Sequence, residues 1–166
     1  MTAKKLTRMA LLSAILYVSK IALEFLPNFE AVSLLVIIYT LVFGKEAFII
    51  VTVFNLFEIV QWGFGNWLIT YLYIWPLLVF VTLLLKKFIK EEFIIWAVLS
   101  GVFGLFFGTF FALSYIPVGL TYAFNYWLSG LPWDFVHCVC NFIIMISVGK
   151  PIYKLLMKLN KAYLGN

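Results

Sequence analysis

Residues 93–115 read FIIWAVLSGVFGLFFGTFFALSY, an unbroken stretch without a single charged side chain. A run of about 18 or more apolar residues is long enough to cross the roughly 30 Å hydrocarbon core of a bilayer. Every backbone N–H and C=O in such a segment must be satisfied without water, which leaves an α-helix or a closed barrel. Barrel strands alternate polar and apolar residues, and this stretch does not alternate. It reads as a membrane helix.

The rest of the chain extends that reading. Of 166 residues, 65% are hydrophobic, 20% aromatic and 11% charged, and the mean hydropathy is +1.08. Soluble domains are roughly 45–50% apolar and about 25% charged, and a chain this small has too little interior to hide the excess from water. A soluble globular domain, a disordered chain and a nucleic-acid binder with a basic face are therefore excluded. Hydropathy predicts helices over Met9–Leu26, Ala31–Phe43, Glu46–Trp62, Trp67–Leu85, Phe93–Tyr115 and Leu131–Val148. Turn residues separate them at Leu26-Pro27-Asn28, Phe43-Gly44-Lys45 and Gly63-Phe64-Gly65-Asn66, and a charged hinge runs from Lys86 to Glu92. The longest predicted loop is Ile116–Gly130. The basic, apolar N-terminus resembles a signal peptide but has no small-residue cleavage site, so it reads as a retained first helix. The expected fold is an all-α integral membrane protein, one domain over 1–166 with six transmembrane helices. No room is left for an ATPase, so energy coupling requires a partner.

Charge sets the orientation. Lys4, Lys5, Arg8, Lys45, Lys86, Lys87, Lys90, Lys150, Lys154, Lys158 and Lys161 all fall on one side of a six-helix arrangement, leaving only Lys20 inside a span. The positive-inside rule places both termini in the cytoplasm, and a bacterial cell membrane is the expected location. The net charge of +5 then reflects topology.

Polar groups inside spans are costly and face the protein interior. Lys20 and Glu24, four residues apart, can pair with each other or face a ligand. Asn55, Glu58 and Trp62 share a helix face with Gln61 beside it. Glu58 has no basic neighbour in sequence, so it bonds to another helix, is protonated, or meets a ligand. Trp67, Tyr71 and Trp75 form an aromatic stripe next to Asn66. Interfacial preference explains the first two better than Trp75. Asp134, His137 and Asn141 fall within about 60° on one face of an apolar helix, where they need partners or a ligand. Cys138 and Cys140 point to different faces, and one histidine is too few for a typical zinc site. No metal, cofactor or catalytic motif is expected. Ala10 and Ala14 make a small-x-x-x-small pattern at the basic end. Ala97, Gly101, Gly104, Gly108 and Ala112 make a small-residue ridge suited to packing within the protein.

These residues resemble those of a known family. Ala10-x-x-x-Ala14, the segment from Pro27-Asn28-Phe-Glu30 to Phe43-Gly44-Lys45, and Gly130-Leu-Pro-Trp-Asp134-Phe-Val-His137-x-x-x-Asn141 make the chain similar to the substrate-binding S-component of an energy-coupling factor (ECF) vitamin transporter. The resemblance implies high-affinity capture of a vitamin or vitamin precursor from outside. It also implies docking through Ala10 and Ala14 onto a transmembrane coupling subunit that carries two cytoplasmic ATPases. The expected substrate-binding residues are Glu58, Gln61, Trp62, Asn66, Trp67, Tyr71, Trp75, Asn125, Asp134, His137 and Asn141. Acids, amides and aromatic faces suit a small neutral or cationic heterocycle such as pyridoxine, hydroxymethylpyrimidine or thiamine. The competing readings are a small membrane enzyme using His137 and a carboxylate, a stand-alone transporter, and a structural subunit.

Overall fold

A computed structural model describes residues 2–89 and 92–164. Lys90 and Glu91 of the expected charged hinge lie outside the described residues. Among those described there is no strand. The helices are α1 (Ala3–Leu23), α2 (Val32–Phe43), α3 (Ala47–Trp62), α4 (Asn66–Leu85), α5 (Phe93–Leu105), α6 (Phe107–Ser114) and α7 (Leu120–Leu164), with a 3-10 turn at Gly44–Glu46. Among the described residues five stretches are long and apolar enough to cross a membrane: Ala3–Leu23, Val32–Trp62, Asn66–Leu85, Phe93–Ser114 and Leu120–Ala162.

Side-chain pairings fix how the helices run. Arg8 meets Glu46, the Ser13 hydroxyl donates to the Ile50 carbonyl at 3.0 Å, and Lys20 pairs with Glu58. These partners advance together, so α1 and α3 are parallel and α2 returns between them. Gly44, at φ 62°, and Gly63, at φ 69°, turn the chain after α2 and α3, conformations that L side chains avoid. Asn55 Nδ2 on α3 donates to the Tyr71 carbonyl on α4 at 3.0 Å. The far end of α4 closes on α2, where Lys86 Nζ reaches the Leu41 carbonyl at 2.6 Å.

α2 is the centre of the bundle. Residues 31–41 are all buried, and the helix touches α1, α3, α4, α5 and α7. A helix apolar on every face belongs inside a protein. Its 12 residues rise only about 18 Å. Its first turn is capped by Glu30, whose carboxylate accepts from the Val32 and Ser33 N–H groups and the Ser33 hydroxyl. An acid at a helix N-terminus satisfies free amides and the macrodipole together.

The second half of the chain departs from the expected boundaries. The helix expected over Phe93–Tyr115 breaks at Phe106 into α5 and α6. Asp134 Oδ1 accepts the freed Gly108 N–H at 2.9 Å, capping α6. The expected loop Ile116–Gly130 is helical from Leu120, and the helix expected over Leu131–Val148 runs on through Pro132 and Pro151 to Leu164. Packing against α6 accounts for this extension: Trp127 Nε1 donates to Thr109 Oγ1 at 3.1 Å, the Tyr126 ring meets that of Tyr115 at a tilt with centres 4.7 Å apart, and Ala123 is buried. The small-residue ridge of α5 and α6 lies against α7, as its spacing predicted. A Cβ on Gly104 would stand 2.9 Å from the His137 backbone, and one on Gly101 3.2 Å from the Cys138 carbonyl.

The bundle thus has two chemically different ends. Arg8, Glu46, Lys86 and Asn160 gather at one, where Arg8 donates to Asn160 Oδ1 at 2.6 Å. The other carries Glu24, Glu58, Trp62, Trp67 and Trp127.

Candidate ligand-binding site

Among the described residues, two cavities at the end remote from Arg8 are lined by acidic side chains. The smaller, about 350 Å³, is walled by α1, α3 and α4 and lined by Lys20, Glu24, Glu58, Trp62, Trp67 and Tyr71. The larger, about 500 Å³, is lined by Asn28 of the α1–α2 connection, by Phe107 and Gly108 of α6, and by α7 residues from Tyr126 to Asp134. Phe111 lines both. These volumes fall in the range of small-molecule sites.

In the smaller cavity, helix spacing puts Lys20 and Glu58 on facing surfaces of α1 and α3. Glu58 is 1% exposed, and its Oε2 accepts from Lys20 Nζ. The ammonium also lies 5.9 Å from the Trp62 ring centre and 5.7 Å from that of Tyr71, within reach of a cation–π attraction. The possible Lys20–Glu24 pair therefore gives way to an interhelical one, and Glu58 does have a basic partner. Glu24 makes no ion pair among the described residues. The α4 stripe forms as expected, with Trp67 edge-on to Tyr71 at 5.3 Å and Tyr71 edge-on to Trp75 at 5.5 Å. Only Trp67 and Tyr71 reach the cavity. Trp75 is buried among Phe54, Phe103 and Phe107 and serves as core.

In the larger cavity, Asp134 is buried and caps α6 through one oxygen. His137 and Asn141, one and two turns further along α7, lie beneath it and line neither cavity. His137 Nε2 faces Glu30 Oε1 at 3.3 Å, and Asn141 Nδ2 donates to Ser33 Oγ at 3.2 Å and the Ser100 carbonyl at 3.5 Å. The three polar groups expected to act together are thus divided. Asp134 faces the cavity, while His137 and Asn141 tie α7 to the start of α2. Burial alone pushes the Glu30 carboxyl up, but the bond and charge of His137 and the Ser33 donors outweigh it and hold the group below the ordinary carboxylate value.

Gln61, Asn66 and Asn125 are exposed and line neither cavity. Asn125 was expected on a loop and lies on α7. Lys20, which the sequence left between pairing with Glu24 and facing a ligand, lines the smaller cavity together with Glu24, and Asn28, Phe107 and Phe111, which were not expected at the site, line the cavities too. For Lys20 the signal was present, since it is the single basic residue inside a span. For the aromatics there was none, because 18 phenylalanines give no contrast. The described residues hold no group of three or more His, Cys, Asp or Glu able to bind a metal ion. Comparison with protein families, with curated proteins and with solved structures finds no match to this chain.

Proposed function

We propose that the protein is the substrate-binding membrane subunit of a multi-component importer, similar to an ECF S-component. In this reading the chain passes the bacterial cell membrane six times with both termini in the cytoplasm. It captures a small aromatic heterocycle, a vitamin or its precursor, from outside. The observation that carries the reading is the pair of aromatic-lined cavities, each with a buried carboxylate, at the end of the bundle opposite the basic residues. The positive-inside rule turns the basic end to the cytoplasm and therefore opens both cavities outward.

The basic end supports a partner. Ala10 is exposed on α1, and the same end carries an apolar groove of about 310 Å³ lined by Leu11, Ile15, Leu156 and Leu159 but by neither Ala10 nor Ala14. In this reading a transmembrane coupling subunit docks by close helix contact at Ala10 and Ala14, with two cytoplasmic ATPases supplying energy. An enzyme reading would need His137 to touch substrate, and His137 is 3% exposed with Nε2 engaged by Glu30.

Native mass spectrometry of the detergent-purified protein tests this function. A co-purified heterocycle of vitamin size, or thermal stabilisation by one member of a vitamin panel, is the expected result. Failure of every member to bind would end the proposal.

A further inference from the structure

Glu58 and Asp134 share an arrangement that the binding reading leaves unused. They are 1% and 5% exposed. Each commits one oxygen to the protein, Glu58 Oε2 to Lys20 and Asp134 Oδ1 to the Gly108 amide. The second oxygen of each, Glu58 Oε1 and Asp134 Oδ2, has no hydrogen-bond partner and is shut off from solvent, although the same side chains line a cavity, so a donor reaches each oxygen once the carboxylate turns toward the cavity. A buried acceptor without a donor is costly, and a ligand that supplies the donor recovers that cost.

Charge narrows the ligand further. The smaller cavity sets Lys20 against Glu24 and Glu58, two carboxyls to one ammonium. The larger contains Asp134 and no basic lining residue. Aromatic faces in both favour cations, and Phe111 is the wall at which they meet.

We propose that the two cavities are the two ends of one substrate chamber, and that its substrate is a flat, positively charged aromatic with hydrogen-bond donors at both ends. One donor meets Glu58 Oε1, the other meets Asp134 Oδ2, and the ring lies against Phe111. Aromatic acids and phosphates are refused, because carboxyls outnumber basic groups in both cavities. This inference rests on the substrate-binding reading and specifies its ligand class.

The test is a titration of the full chain in detergent, by calorimetry, with five related ring compounds. These are 1,4-bis(aminomethyl)benzene with its aminoethyl homologue, benzylamine, 1,4-benzenedimethanol and terephthalate. One of the diamines should bind at least about tenfold more tightly than benzylamine, the difference expected for one added charged hydrogen bond. The diol should bind more weakly than the diamine, and terephthalate should not compete. Asp134→Asn should reduce the diamine to the level of benzylamine. Because Glu58→Gln alone leaves Lys20 unpaired, the double variant Lys20→Met/Glu58→Gln tests the other end, with the same loss expected. Equal binding of benzylamine and both diamines, competition by terephthalate, or no binding of either diamine would overturn the inference. Tight binding of a neutral heterocycle where the diamines fail would overturn it and leave the importer reading standing. Failure of the diamines and of the whole vitamin panel would overturn both.

Discussion

Lys20 and Glu58 are separated by 38 positions in the chain and by one hydrogen bond in the fold. Breaking a buried ion pair from one side leaves an uncompensated charge and costs about 3–5 kcal/mol. Lys20 is 22% exposed and lines a cavity, so Lys20→Met should destabilise the protein by less, about 1–3 kcal/mol, in thermal or urea unfolding in detergent. Lys20→Met/Glu58→Gln should regain most of it, and additive losses would show that the two do not couple. Glu30 supplies a pH-dependent counterpart. Its carboxyl is held below the usual value in the folded protein, so its contribution is complete above the unfolded carboxylate pKa and is lost as pH falls through the lower folded value. Melting temperature should fall below about pH 4, and Glu30→Gln should flatten that acid limb; an unchanged slope would sink the assignment. The polar members of the site were legible wherever a charged or amide side chain interrupted an apolar helix, as at Glu58 and Asp134. Their partners were not, because the Glu30–His137 and Ser33–Asn141 contacts join positions 107 and 108 apart. Neither helical periodicity nor local spacing carries information over such distances.

The elements were readable by hydropathy, and some of their boundaries were not. Gly44 and Gly63 turn the chain where the sequence said it would turn. Hydropathy started the last helix at Leu131, beside Pro132, whereas it begins at Leu120. Inside a bundle, neighbouring helices relieve the proline defect, and α7 continues through it. The glycine ridge yields a paired prediction. A Cβ at Gly104 meets the His137 carbonyl at 2.9 Å, whereas nothing lies within 4 Å of one at Gly130. Gly104→Ala should thus cost about 1–3 kcal/mol through overpacking. Gly130→Ala should raise stability by about 0.5–1 kcal/mol, the ordinary helix gain over glycine. Unfolding midpoints in one detergent compare them, and equal effects would contradict the packing of α5 on α7.

At the scale of the molecule, the proposed orientation is directly testable. After Cys138→Ser and Cys140→Ser, single cysteines at Asn66 and Asn125 should label with an impermeant maleimide on intact cells. Cysteines at Lys45 and Lys87 should label only after permeabilisation, and the reverse pattern would invert the topology. Ala10→Trp with Ala14→Trp should abolish uptake and leave ligand binding by the isolated protein intact; normal uptake would remove α1 as the docking face. α7 adds a mechanical consequence. Its 45 residues have a contour of about 68 Å, longer than the roughly 40–45 Å of a bilayer with its headgroups. Asp134 sits toward one end of this rod and Asn160 toward the other, while Gly149 between them presses on Phe93, where a Cβ would stand 3.3 Å away. In a bilayer a helix of this length projects beyond the headgroups or tilts, so a spin label at Asn160 should read as water-exposed.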